Sequence, residues 1–145
     1  MKKVFRVVVA LSILLSGTVL FSQSASAAWS SWQTELFGHK ARVWTDDTNY
    51  YSGAKTVDWK IEKKGSGTLY YTAGAYKKRS GGGLTDTNLV QRGYFKKSTP
   101  IKSFSVSEMR KRTGKGSYVI QIDCYTDAKK TKYIGTFESK TFYIK

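Results

Sequence analysis

The chain predicts an all-β domain, an antiparallel β-sandwich, and three observations carry that expectation. Apolar and polar residues alternate with a period of two in several segments. Turn-forming residues recur at short intervals between those segments. Only one stretch, Val106 to Thr113, offers a short helical turn. Seven or eight short strands spaced in this way bury one face against a second sheet. A small barrel is the alternative closure.

Taken in order, Lys40–Thr45 is the first strand candidate. Val57, Trp59 and Ile61 then alternate with Asp58, Lys60 and Glu62, as a strand with one buried and one wet face requires. Gly65-Ser66-Gly67 turns the chain, and Thr68 to Lys77 runs back with Leu69, Tyr71, Ala73 and Ala75 on one face. Asn88–Lys97 and Ile101–Ser107 follow. The cleanest alternation is Ser117 to Thr126, with Tyr118, Ile120, Ile122 and Cys124 on one side and Val119, Gln121, Asp123 and Tyr125 on the other. Lys132–Phe137 and Lys140–Ile144 complete the set. The turns between them are Asp46 to Asn49, Ser80 to Gly83, Ser98 to Pro100, Gly114 to Gly116, and Thr126-Asp127.

A chain of 145 residues fits one domain whose core can fold without disulfides. One cysteine rules out an internal disulfide framework, and one histidine rules out His-rich metal sites. Residues 1–27 read as a signal peptide. Lys2, Lys3 and Arg6 precede the apolar stretch from Val7 to Phe21, and Ala25-Ser26-Ala27 supplies the small-x-small cleavage pattern. Fifteen residues that include Ser12, Ser16, Gly17 and Thr18 are short for a bilayer span, which takes about 20 apolar residues. The expected product is a single secreted domain, 28–145, free in the extracellular space.

Charge is uneven along that domain. From Ala28 onward there are 22 Lys and Arg against 10 Asp and Glu, and the segment 63–115 holds 13 of those cations against only Asp86 and Glu108. Solubility alone would be served by scattered charge, and concentrated charge repels itself, so a binding use is expected.

Gly116-Ser117-Tyr118-Val119-Ile120-Gln121-Ile122, preceded by Phe104 and Val106, resembles the late strands of immunoglobulin-like domains. There a G-x-Y entry leads into an alternating strand and a final hairpin closes the sheet. The resemblance covers about the last forty residues. It implies an immunoglobulin-like topology and carries no function with it, and the paired cysteines of true immunoglobulin domains are absent.

Successive connections of an antiparallel sandwich emerge at alternate ends, which predicts two basic poles. The first gathers Lys63, Lys64, Lys96, Lys97, Lys129, Lys130 and Lys132 against Glu62 and Asp127. The second gathers Lys77, Lys78, Arg79, Arg110, Lys111, Arg112 and Lys115, diluted by Asp46, Asp47, Asp86 and Glu108. The candidate ligand-binding residues are the first pole's lysines, with Lys77, Lys78, Arg79, Arg110 and Arg112 as a second patch.

No catalytic constellation stands out. His39 has no adjacent acid or nucleophile pattern, and Cys124 falls on an apolar strand face as an inert thiol. Asp46 to Asn49 and Thr85 to Asn88 are rich in oxygen ligands but lack calcium-loop spacing, so Asx turns are expected there and no metal site. Gly81-Gly82-Gly83 lacks the Gly-Lys-Ser/Thr of a phosphate loop. Nineteen aromatic residues fall in the secreted domain, where they fill a small β core and cover sheet faces. One member of each adjacent pair, Tyr50-Tyr51 and Tyr70-Tyr71, is expected to face outward.

These features favour a secreted cationic protein that associates electrostatically with an anionic envelope component or polymer, such as teichoic acid, anionic lipid or extracellular nucleic acid. No cofactor is called for. The other classes are a bacteriocin-like or membrane-active antagonist, which would want an amphipathic cationic helix this chain lacks, and a secreted hydrolase or proteinase inhibitor.

Overall fold

The computed structural model describes residues 26–145. The predicted signal peptide lies outside them, save for Ser26 and Ala27. Two sheets face each other, so the chain is a β-sandwich rather than a barrel. Sheet A contains β1 (Ala28–Trp29), β3 (Lys40–Thr45), β5 (Thr56–Lys63) and β8 (Lys102–Ser105) in that order, with β2 (Gln33–Thr34) also paired to β3. Sheet B runs β4 (Asn49–Tyr50), β11 (Phe142–Ile144), β9 (Gly116–Tyr125), β6 (Leu69–Lys78) and β7 (Leu84–Phe95), and β10 (Tyr133–Glu138) also pairs with β9. Among the described residues every strand pairing is antiparallel except that of β4 with β11.

The period-two alternation selects which side chains enter the core. Val57, Trp59 and Ile61 point inward from β5, opposite Tyr71, Ala73 and Ala75 of β6 and Tyr118, Ile120, Ile122 and Cys124 of β9. Trp59 bridges the two sheets: its ring stacks on Phe104 at 5.9 Å and meets Tyr71 edge-on at 5.9 Å. Tyr71 and Tyr50 are buried while Tyr70 and Tyr51 are not, as the adjacent pairs require. On β9, Val119, on the side opposite Tyr118 and Ile120, is buried as well; it pairs with Tyr76 of β6.

The helical turn forms as α1 (Val106–Thr113) and lays Val106 and Met109 into the core. Ser105 caps its start by accepting the Glu108 N–H, and Gly114, at φ 81°, ends it. Two glutamines pin the long sides of the sandwich. Gln33 donates to the Glu138 carbonyl at 2.7 Å and accepts the Glu138 N–H at 2.8 Å, behaving as a short strand beside β10. Gln91 of β7 donates to the Ser103 carbonyl of β8 at 2.7 Å.

Candidate functional site

The strand register fixes where the turns lie. Leu69 pairs with Phe95, Tyr70 with Tyr125, and Tyr125 with Tyr133. The connections at 64–68, 96–101 and 126–132 therefore emerge together at one end of sheet B. At the other end Lys77 pairs with Tyr118, Lys78 with Leu84, and Ile144 with Gly116. That end gathers the 79–83 loop, the end of α1 and the last residues of β11.

Side chains at the first end are not equivalent. Lys63 continues the inward alternation of β5 and is buried; its ammonium donates to the Gly65 and Ser66 carbonyls at 2.9 Å each, and burial lowers its pKa. It therefore holds the 64–68 turn and does not face solvent. Lys64 lies over the Trp32 ring at 4.7 Å. Lys96 and Lys97 flank a shallow hollow floored by Gly65 to Thr68. In the 126–132 loop the Asp127 carboxylate accepts the Lys132 N–H, the Thr131 hydroxyl and the Thr131 N–H, which together hold its pKa below the usual range. That wrap leaves Lys129 and Lys132 exposed and turns Lys130, at φ 57°, so that its ammonium reaches Thr72 Oγ1 at 3.0 Å.

The second end is concave. A groove of about 1070 Å³ is lined by Lys77, Lys78, Arg79 and Arg112 together with hydroxyls and glycines, and no carboxylate lines it. Lys77 donates to the Thr113 carbonyl at 2.6 Å and Lys78 to Thr141 Oγ1 at 3.1 Å. Arg112 is tied down: it pairs with Glu108 at 3.3 Å and donates to the Thr87 and Asn88 carbonyls on the free edge of β7. Arg110, half-buried, donates to the Lys145 carbonyl at 2.9 Å. Among the described residues only two ion pairs form, Arg42–Glu62 and Arg112–Glu108. The remaining cations of the basic segment have no Asp or Glu side chain within pairing distance.

A third cationic arrangement, not anticipated from the sequence, covers the outer face of sheet A. Arg42 lies over Trp29 at 4.2 Å and over Trp32 at 4.7 Å, while Lys60 lies over Trp29 at 5.1 Å and Trp44 at 5.3 Å. Of the four tryptophans only Trp59 is core. The others alternate with cations on a sheet face, each contact contributing roughly 0.5–1 kcal/mol at such exposure. The signal was present in β3, where Ala41, Val43 and Thr45 take the inward positions and leave Trp44 outside.

The polar turns and the lone cysteine take structural positions, and His39 is placed by its backbone. His39 stands between a 3-10 turn at Leu36–Gly38 and β3, its carbonyl accepting the Glu35 N–H. Asp47 accepts the Thr48 and Asn49 N–H groups and Asp86 accepts that of Asn88, so both polar stretches are Asx turns. Cys124 is buried in a central strand, and burial first, then Asp123, pushes its thiol up to about 12. At neutral pH the folded thiol stays protonated, so an alkylating reagent is expected to leave it unmodified for hours and to label it at once in denaturant. Rapid labelling of the folded protein would contradict this placement.

The profile of the YqgA MG2 macroglobulin domain family matches residues 25–145. Cell wall-binding protein YqgA of Bacillus subtilis (strain 168) is 34% identical over 113 residues, which cover 76% of this chain and 78% of that protein. No solved structure matches.

Proposed function

Because this chain belongs to the YqgA MG2 macroglobulin domain family, we propose that it is a secreted, cationic, non-enzymatic module that binds an anionic polymer of the cell envelope. The observation that carries the reading is the convergence of cations from segments remote in sequence onto two ends of one sheet, almost all without a carboxylate partner. Cell-wall binding by the Bacillus subtilis relative supports the envelope as the location of the partner. A phosphate-bearing polymer such as teichoic acid fits best, because lysines act as point charges toward phosphate without a fixed fork geometry. The signal peptide read from residues 1–27 would bring the domain to the outside.

Association of this kind releases counterions and weakens with salt. Retention of the purified domain on isolated cell walls is expected to fall at least about tenfold between low and moderate ionic strength. Retention unchanged across the salt series would overturn the electrostatic reading.

A further inference from the structure

Across the outer face of sheet B, four tyrosines stand side by side on four neighbouring strands. Tyr133 of β10 lies opposite Tyr125 of β9, Tyr125 opposite Tyr70 of β6, and Tyr70 opposite Tyr94 of β7. The Tyr125 and Tyr133 rings are 5.7 Å apart and inclined at 62°; those of Tyr70 and Tyr94 are 6.0 Å apart and inclined at 46°. Both ends of the row are open, with Tyr94 68% and Tyr133 45% exposed. Beyond Tyr133 the row runs on to Phe37, 88% exposed, which shares a hollow with Tyr133, Thr131 and Lys132.

The next row on the same face is polar. Arg92, Thr72, Asp123 and Thr136 follow one another across the same four strands. Lys130 reaches onto this row through Thr72, close enough to Arg92 for that charge, after burial, to lower its own pKa. Asp123 accepts the Thr136 hydroxyl. Two neighbouring cations without an ion-pair partner thus stand directly behind a line of rings that is exposed at both ends.

We propose that this face is a stacking platform for an anionic polysaccharide, with sugar rings laid on the tyrosine row and acidic substituents against Arg92 and Lys130. Neighbouring strands lie about 4.8 Å apart, close to the length of one hexose unit, so successive sugars meet successive tyrosines. Sugar carbon–hydrogen faces suit the negative face of an aromatic ring, and the polar row offers donors and an acceptor to hydroxyl groups. Nucleic acid wants a cationic groove tracking its phosphates beside the rings, whereas the row behind them places the Asp123 carboxylate between Thr72 and Thr136. A bilayer wants a continuous apolar patch, whereas here a charged row lies immediately behind the rings.

The inference rests on the envelope-binding reading and adds sugar recognition to it. Its test compares three immobilised probes: hyaluronan, polyphosphate (charge without sugar rings) and oligo(dT). The double variant Tyr94→Ala/Tyr133→Ala removes the two exposed rings, Tyr94→Phe/Tyr133→Phe keeps the rings without their hydroxyls, and Tyr51→Ala removes an exposed ring elsewhere. The expected result is a loss of about tenfold or more on hyaluronan for the alanine pair alone, with polyphosphate binding unchanged. An unaltered thermal midpoint shows that the pair still folds. Equal hyaluronan binding by wild type and the alanine pair would overturn the platform, as would wild-type binding to polyphosphate but not hyaluronan. A loss confined to oligo(dT) would assign the row to bases instead. Failure of the wild type to be retained on isolated walls would overturn the envelope reading itself, whatever the tyrosine variants do.

Discussion

Replacing Trp59 with Ala is expected to lower stability by about 3–5 kcal/mol, the range found when large aromatic residues are deleted from cores. Among the described residues no other fully buried side chain is larger, and the indole touches both sheets through Phe104 and Tyr71. Its removal leaves a cavity that rigid strands on either side cannot collapse into. For a domain of this size the thermal midpoint should fall by roughly 10–20 °C. Trp59→Phe should cost much less, roughly 1–1.5 kcal/mol, because the buried indole N–H has no hydrogen-bond partner to lose. A scan in which Trp59→Ala shifts the midpoint by only a few degrees would show that the sheets are not held together through this residue.

Neutralising the first end should have the largest effect on binding. In the variant Lys96→Gln/Lys97→Gln/Lys129→Gln/Lys132→Gln, four exposed cations without ion-pair partners are lost while the residues that hold the loops, Lys63 and Asp127, are kept. At on the order of 1 kcal/mol per lysine near an anionic surface, wall retention at low salt should drop about a thousandfold. Lys78→Gln/Arg79→Gln, which empties part of the groove, should cost about thirtyfold on the same basis. Arg112 is left out of both sets, because it caps backbone carbonyls on an edge strand and its loss would confound folding with affinity. A loss below threefold in both variants would remove electrostatics as the source of affinity.

How much of this was legible beforehand depended on how far local pattern reflects tertiary position. β5 alternates strictly, and β6 and β9 do so apart from Gly74 and Val119, because one face of each packs on the other sheet, so the expected inward residues of all three are the buried ones. α1 was legible as a short helical turn over Val106 to Thr113, while its cap at Ser105 and the burial of Val106 and Met109 are seen in the fold. β1, β2 and β4 were not, because two-residue strands carry no period and exist only through their partners. β7 begins four residues before the expected start: Thr85 to Thr87 is polar, and an edge strand is wet on its outer face and along its free side. The two-pole grouping followed from the antiparallel rule alone. What that rule could not show is which cations are consumed internally. Lys63 needed the β5 alternation carried two residues further, and the anchoring of Arg112 on β7 depends on a contact between elements far apart in the chain. The tyrosine row is a matter of inter-strand register, which no single segment encodes.

The parallel pairing of β4 with β11 bears on when the domain can finish folding. β4 has no strand partner besides β11, and the Tyr50 ring meets Phe142 edge-on at 5.4 Å while Phe142 stacks on Tyr118. Joining them closes a loop of roughly ninety residues, an entropic cost on the order of 4 kcal/mol. That cost is offset only once Phe142 and Ile144 are available to pack. Phe142 and Ile144 therefore fasten β4 to the sheet, and Tyr50 has its strand partner and its ring contact only where they are in place.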